Sequence, residues 1–243
     1  MPVVVTQSNT PICILGMHRS GTSCLAGSLE LAGVHLGEVV NKSPHNLRGN
    51  KENKIQRRIN EDLLTFNGGS WDNLPDQIVW HDELRAQRDA YISQFKGVPV
   101  WGFKDPRCLS TLAFWRETLG NLRLVGTFRH PAAVAQSLAK RRGLTPATEP
   151  VQLWIDYNRR LLDLCETEVV HLVCFDWRMP QYLATLGHLN GLLGLPEVQE
   201  TPPFFETQLR QSHAGWPEIP DALRQDAEAM YQALNGHALM PGD

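Results

Sequence analysis

A glycine-rich turn close to the start of the chain constrains the fold more than any other feature. The apolar residues 12–15 predict a buried strand, Gly16 and Gly21 bound a turn, and apolar residues recur at helical spacing from Thr22 onward. Glycine lets backbone N–H groups approach a ligand closely, and the first turn of a helix presents N–H groups without helical partners. A strand, a glycine loop and a helix in this order therefore predict a site for a phosphate or a similar anion.

The spacing of the two glycines matches the nucleotide-binding P-loop, but one residue of that loop differs. Gly16 and Gly21 are separated by four residues, whereas the position of the P-loop lysine is held by Thr22, with Ser23 following. Arg19, inside the turn, adds a fixed positive charge and a forked donor group. The sequence therefore predicts an anion site and argues against an ordinary ATPase.

The composition indicates one globular domain and argues against a nucleic-acid partner. The chain has 243 residues, 42% of them apolar, which is enough for a substantial core. We therefore predict a single domain over residues 1–243. The formal net charge of −3 provides no general attraction for nucleic acid, so an anion site has to be built locally.

The cysteines and the apolar runs predict a cytoplasmic protein. The five cysteines are widely spaced and form no CxxC pair, which is typical of reduced thiols in a core. The first eleven residues contain no cationic segment followed by a long apolar one, and no later apolar run approaches the length of a membrane span. We expect a cytoplasmic location and no membrane-spanning segment.

Strand and helix patterns alternate along the chain, which favours a parallel α/β sheet. Apolar runs predict strands at 12–15, 99–103, 122–128 and 169–175. Helical patterns lie at 22–33, 50–66, 78–95, 109–120, 132–142, 151–165, 180–194 and 221–235. We predict an α/β fold of the P-loop-NTPase-like kind, in which helices flank a parallel sheet.

The helix predicted at 50–66 is amphipathic, with Ile55, Ile59, Leu63 and Phe66 at helical spacing. Residues 67–96, which contain a polar loop and a more weakly amphipathic helix, are predicted to be an insertion into the alternating pattern. A cap over the site is one role for this insertion.

Three predicted strands end at positively charged residues. The first runs into the turn that holds Arg19, the second ends at Lys104 and Arg107, and the third ends at Arg129. The carboxyl ends of parallel strands meet at one edge of a sheet, where ligands of such folds bind. We expect these positive charges to converge at that edge. A cluster of like charges lowers the stability of the folded protein unless a bound anion neutralises it.

Three motifs, in this order along the chain, resemble those of the PAPS-dependent sulfotransferases. GMHRSGTS at 16–23 is similar to the loop that binds the 5′-phosphosulfate, and FKDPR at 103–107 is similar to a motif of the bacterial branch that supplies a lysine. Arg129 and Ser137, eight residues apart, resemble the pair that binds the 3′-phosphate. The resemblance extends from about Ile12 to Asp176 and implies the sulfotransferase fold.

The resemblance implies transfer of a sulfuryl group from 3′-phosphoadenosine-5′-phosphosulfate (PAPS) to a hydroxyl group of a carbohydrate or a small metabolite. PAPS would be a cosubstrate, and no metal would be required, because cationic side chains and loop amides can stabilise the charge that develops on the leaving group. Arg19 and Lys104 would carry that catalytic role. The residues implied to bind PAPS are Arg19, Ser20, Gly21, Thr22, Ser23, Arg129 and Ser137.

The sequence departs from the family at positions that matter for binding and catalysis. Cytosolic members have a lysine where Arg19 stands and an adenine-stacking tryptophan where Cys24 stands. They have Lys-Thr-His in place of residues 104–106, so the usual catalytic histidine is missing. The last third of the chain has no Arg-Lys-Gly segment, which closes over the nucleotide in those enzymes, and Arg210 is only a weak substitute.

Glu52 is predicted to be the base that takes the proton from the acceptor hydroxyl. In related bacterial enzymes a glutamate follows the first helix in a pattern like SPDNPKGxxEN, which SPHNLRGNKEN at 43–53 resembles. His45 and Asp105 remain alternatives, the first because the ordinary pKa of imidazole suits a base and the second because it adjoins Lys104.

Two other functions are compatible with the sequence. A P-loop kinase or NTPase with a degenerate loop would bind Mg²⁺-ATP, although the missing lysine and the pair of Arg129 and Ser137 count against it. A catalytically inactive nucleotide-binding module would bind the nucleotide without turnover, and Cys24 and the missing closing segment keep this alternative open.

Overall fold

A computed structural model describes residues 10–40, 49–142, 148–198 and 215–240 of the chain. Within these ranges, four strands alternate with eight helices. The strands are β1 (Ile12–Leu15), β2 (Gly102–Lys104), β3 (Arg123–Phe128) and β4 (Val170–Cys174). The helices are α1 (Thr22–Leu31), α2 (Lys54–Phe66), α3 (Asp82–Ser93), α4 (Cys108–Leu119), α5 (Pro131–Arg142), α6 (Thr148–Thr167), α7 (Met179–Leu192) and α8 (Asp221–Gly236).

The four strands form one parallel sheet in the order β2-β1-β3-β4. In this register Ile12 of β1 pairs with Gly102 of β2 and with Arg123 of β3, and Phe128 of β3 pairs with Cys174 of β4. The carboxyl ends of all four strands therefore lie along one edge of the sheet. The predicted parallel α/β fold flanked by helices is confirmed.

The sheet separates two apolar cores. Along β1, Cys13 and Leu15 belong to one core and Ile12 and Ile14 to the other, as the alternation of side chains in a strand requires. The first core also contains residues of α2 to α6 and of α8, whereas α1 and α7 cover the second. Because both faces of the sheet are covered, the strand sequences are almost continuously apolar and do not alternate with polar residues.

Helix α2 begins later than the predicted start near Asn50, and its apolar stripe is only partly buried. Asn53 caps the helix, because its side chain accepts hydrogen bonds from the backbone N–H groups of the second and third residues that follow it. Ile59 and Leu63 are buried as expected, but Ile55 is 48% exposed and Phe66 is 54% exposed.

Two polar residues occupy the face of α2 that is buried. Gln56 and Asn60 are fully buried. Asn60 donates to Asp105 Oδ2 at 3.1 Å and accepts hydrogen bonds from Thr111 and Trp115 of α4, each at 2.9 Å. This polar contact with α4 sets the rotation of α2 about its axis, so Ile55 and Phe66 lie at the flanks of the buried face.

Residues 67–96 pack against the same core as the sheet. Leu84 and Tyr91 of α3 are buried, and the Tyr91 ring lies 5.7 Å from the ring of Trp115 in α4. The hydroxyl of Tyr157 in α6 donates to the carbonyl of Trp71 at 2.7 Å. The segment is thus anchored to α4 and α6, and its role as a cap stays a prediction.

All five cysteines are free, and all but Cys165 are buried. In the described ranges, no helix is both long enough and apolar enough to cross a membrane.

Candidate functional site

The glycine loop and the start of α1 form a cradle at the carboxyl edge of the sheet. Gly21 is the N-cap residue of α1, with a φ of 91°, and no side chain caps the helix. The N–H groups of the first turn therefore keep their capacity to bind an anion. The hydroxyl of Ser20 is fully buried and has no hydrogen-bond partner among the described residues. A buried hydroxyl without a partner is what a ligand in the cradle would satisfy.

Both glycines of the loop lie where a side chain would not fit. A Cβ atom on Gly16 would lie 2.3 Å from the carbonyl oxygen of Thr127, and one on Gly21 would lie 2.3 Å from the ring of Phe175. Thr127 also donates from its hydroxyl to the carbonyl of Ser20 at 3.2 Å. The loop is therefore pressed against the ends of β3 and β4.

Arg19 links the glycine loop to α5. It has a φ of 68°, in the left-handed region that residues other than glycine rarely adopt. Its Nε atom donates to the hydroxyl of Ser137 at 2.8 Å, across 118 positions of sequence. Two residues that the sequence assigned to different phosphates of PAPS are thus in direct contact.

Lys104 and Glu52 form a buried ion pair beside the loop. Lys104 Nζ lies 2.7 Å from Glu52 Oε1, and their side chains are 2% and 8% exposed. Lys104 also donates to the carbonyl oxygen of Asn50 at 3.0 Å, and the hydroxyl of Ser23 in α1 donates to that same oxygen at 3.0 Å. The structure therefore brings together the predicted base, the predicted catalytic lysine and the start of α1.

The segment that carries Glu52 is fixed at several points. The backbone N–H of Val40 donates to the Glu52 carbonyl at 3.1 Å, and the N–H of Lys51 donates to the Val40 carbonyl at 3.2 Å. Lys51, with a φ of 53°, pairs with Glu30 of α1 at 2.6 Å. Because Asn53 caps α2 directly after it, Glu52 is held between α1 and α2.

Asp105 is not accessible to a substrate, in contrast to what its place beside Lys104 suggested. Its side chain is fully buried, and Arg107 donates to it at 2.9 Å. Burial raises the pKa of this carboxyl above its usual value, although the Arg107 charge opposes the effect. The other base candidate, His45, lies outside the described residues, as does Arg210.

Arg107 does not contribute to the cluster of positive charge that the sequence predicted. Its two terminal nitrogens pair with Asp105 and with Glu61 of α2, each at 2.9 Å. The guanidinium is therefore neutralised within the protein, and it ties the end of β2 to α2.

Arg129 follows β3 and lies at the same edge of the sheet. It is 7% exposed, and its Nε atom lies 3.6 Å from Asp176 Oδ1. Its guanidinium carbon lies 5.4 Å from the centre of the Phe175 ring, which also contacts Gly21. The indole N–H of Trp154 donates to the Arg129 carbonyl at 2.9 Å and fixes the backbone there.

Comparison with known proteins identifies the fold from structure and not from sequence. No protein-family model matches the chain, and no curated protein matches it. The solved sulfotransferase domain from the curacin biosynthetic pathway matches with a TM-score of 0.56 and 15% identity, over 93% of this chain and 97% of that one. The sulfotransferase domain from the Synechococcus PCC 7002 olefin synthase matches with a TM-score of 0.54 and 18% identity, over 93% and 94%. The chain has the sulfotransferase fold.

Within the sulfotransferase fold, the structure adds site residues that the sequence did not indicate. Asn50 acts through its backbone carbonyl, which leaves no signal in a side-chain pattern. Asp176 lies two residues after Cys174, the last residue of β4, so the rule that drew attention to Lys104 and Arg129 applies to it equally. Lysine and arginine side chains indicate an anion site in a sequence, whereas a carboxylate at the same edge does not.

Proposed function

We propose that the protein is a sulfotransferase that uses PAPS as cosubstrate and transfers the sulfuryl group to a hydroxyl group of a small molecule or a glycan. The observation that carries this proposal is the buried pair of Lys104 and Glu52 beside the glycine loop. The pair holds a cation and a proton acceptor within 2.7 Å of each other, next to the cradle for the anion.

The residues at the cradle fit the phosphate groups of such a cosubstrate. The first turn of α1 and the buried hydroxyl of Ser20 would hold the 5′ side. Arg129 would hold the 3′-phosphate through charge-assisted hydrogen bonds. Arg19, through its bond to Ser137, joins the two parts of the site. PAPS supplies the activated sulfuryl group when it is bound.

Lys104 is suited to stabilise the charge that develops on the leaving group. Its ammonium group has three hydrogens, and its partners among the described residues are the Asn50 carbonyl and Glu52. One hydrogen can therefore be donated to a ligand while the other two keep the ammonium in place. A donor fixed in this way needs no reorganisation when charge develops.

Glu52 would accept the proton of the acceptor hydroxyl. Its backbone is fixed by Val40 and its side chain by Lys104, so the carboxylate is held in one place. Its side chain is 8% exposed, which leaves a small surface for a substrate. We further propose that the protein acts in the cytoplasm, requires no metal and has no nucleic-acid partner.

Thermal unfolding with ligands tests the proposal first. Ligand at a hundred times its Kd adds about 2.7 kcal/mol, which raises the Tm of a chain of this size by roughly 5–11 °C. We expect such a shift with 3′-phosphoadenosine-5′-phosphate (PAP) in the presence of EDTA, and transfer of labelled sulfate from PAPS in an acceptor screen. A shift only with Mg²⁺-ATP would favour the kinase, and a PAP shift without any transfer would favour the inactive module.

A further inference from the structure

Asp176, two residues beyond the end of β4, carries a carboxylate that faces Arg129. Asp176 Oδ2 accepts two hydrogen bonds, from the backbone N–H of His130 at 2.6 Å and from the hydroxyl of Tyr231 in α8 at 3.1 Å. Its second oxygen, Oδ1, lies 3.6 Å from Arg129 Nε. One oxygen is thus fixed by two donors, and the other is presented to the arginine.

We propose that Asp176, held by Tyr231, positions the Arg129 guanidinium and thereby gives the site its selectivity for a nucleotide that carries a 3′-phosphate. This inference rests on the proposed function, because it assumes that Arg129 binds that phosphate. Asp176 acts through Arg129 and is a positioning residue.

The contacts of Asp176 leave its carboxylate one orientation. The His130 N–H belongs to the turn between β3 and α5, so the bond at 2.6 Å ties the carboxylate to the segment that carries Arg129. The contact at Nε restrains the plane of the Arg129 guanidinium, and a guanidinium held in one plane has the fork geometry that suits a phosphate.

Tyr231 is itself held firmly at the end of the sheet. Its ring lies 5.6 Å from the ring of Phe128 in β3 and 4.9 Å from the ring of His130. Burial raises the pKa of its hydroxyl, so the hydroxyl keeps its proton and remains a donor to Asp176.

The C-terminal part of the chain is attached to the same turn by further contacts. Trp216 packs on the His130 ring at 5.4 Å and donates to Glu228 of α8 at 3.0 Å. Gln136 of α5 donates to the Gly215 carbonyl at 2.7 Å. Helix α8 is therefore attached to the turn that carries Arg129, and Asp176 links the helix to the arginine.

The variant Asp176→Asn tests the proposal through the arrangement of donors. The His130 N–H and the Tyr231 hydroxyl both require an acceptor, so the amide oxygen of Asn takes the place of Oδ2. The amide NH₂ then faces Arg129 Nε, and two donors oppose each other. We expect the affinity for PAP to fall by about tenfold or more, the effect of losing one bond to a charged group.

Adenosine 5′-monophosphate (AMP) lacks the 3′-phosphate. Its affinity therefore distinguishes a loss of 3′-phosphate binding from a general loss of structure, which would weaken both ligands. Titration calorimetry with the full chain should show a PAP affinity that falls while the AMP affinity stays within about twofold. Tyr231→Phe keeps the ring contacts and removes one donor, and we expect a smaller loss in the same direction. Asp226→Asn, an acid-to-amide change at an exposed position of the same helix, is the matched control and should leave the PAP to AMP ratio unchanged.

The outcomes separate the two proposals. If the wild-type protein binds PAP no better than AMP, the proposed function fails and the positioning role fails with it. If the wild type prefers PAP and Asp176→Asn keeps that preference, only the positioning role is wrong. Tighter PAP binding in Asp176→Asn would also overturn it, because Asp176 would then act as a competing negative charge.

Discussion

At the scale of single residues, the most consequential contact is the ion pair of Lys104 and Glu52. Both groups are almost fully buried, so each depends on the other for its charge to be tolerated. The same contact holds the base and the lysine in the geometry that the proposed chemistry requires. Stability and turnover are therefore coupled at this pair.

The variant Glu52→Gln is expected to separate binding from turnover. Glutamine keeps the shape and an acceptor oxygen for Lys104 but cannot take up a proton, so kcat should fall by about 10²–10⁴-fold while the Kd for PAP changes little. The exposed Glu83 of α3 provides the matched control, Glu83→Gln, for which we expect wild-type turnover. Wild-type rates in Glu52→Gln would transfer the role of base to His45, since Asp105 is fully buried.

A double-mutant cycle measures the coupling within the ion pair. Lys104→Met leaves the carboxylate of Glu52 without its counter-charge, and urea unfolding should show a loss of about 3 kcal/mol. In Glu52→Gln with Lys104→Met no uncompensated charge remains. We expect the double variant to lose about 1–3 kcal/mol less than the sum of the single losses. Additive losses would show that the two groups do not interact in solution.

At the scale of elements, the turn from β1 into α1 depends on glycine for two separate reasons. Gly21 combines a φ of 91° with a position where a Cβ atom would meet the Phe175 ring. Gly33, just after α1, has a φ of 95° but open space where a Cβ atom would lie. A substitution at Gly33 therefore measures backbone strain alone, whereas one at Gly21 adds a steric clash.

Alanine at each of these glycines should destabilise the protein to a different degree. Gly33→Ala should lower the free energy of unfolding by about 1–2 kcal/mol, the strain of a left-handed residue. Gly21→Ala should lower it by about 1–3 kcal/mol more, because the Phe175 ring has to move. Equal losses in urea unfolding would show that the contact with Phe175 is easily relieved.

At the scale of the whole molecule, residues 67–96 are tied to the main body partly by charge. Glu117 of α4 accepts hydrogen bonds from Arg88 at 2.6 Å, from Trp80 at 3.0 Å and from Arg85 at 3.1 Å. The Arg88 bond is the largest of the effects that lower the pKa of Glu117 to about 2. The charged form of Glu117 is therefore favoured by folding.

The lowered pKa of Glu117 predicts that the free energy of unfolding depends on pH in acidic solution. Because the pKa of Glu117 is lower in the folded protein than in the unfolded chain, its contribution is present above about pH 4.5 and is lost as the pH falls towards 2. Glu117→Gln should be less stable than the wild type at pH 7, and the difference should shrink between about pH 5 and 2.5. If urea unfolding gave the wild type and Glu117→Gln the same change of unfolding free energy with pH, the role of Glu117 would be contradicted.

The sequence by itself determined the elements and the edge at which they meet. Periodicity and glycine spacing are local signals, so β1, the loop, α1 and the strands that end at Lys104 and Arg129 were predicted close to where they lie. The parallel sheet follows from their alternation, because parallel strands require crossover connections. The sequence therefore places the site residues at one edge of the sheet, but it does not predict which of them are in contact.

Only the tertiary structure decided which of these residues touch. The bond from Arg19 to Ser137 spans 118 positions and the pair of Lys104 and Glu52 spans 52. Such contacts depend on the rotation of helices and the direction of side chains, which no local pattern encodes. The same holds for Arg107, whose charge is taken up by Asp105 and Glu61, and for Asp176, which faces Arg129 because β3 and β4 are neighbours. A local pattern fixes each element, whereas the packing of distant elements fixes the site.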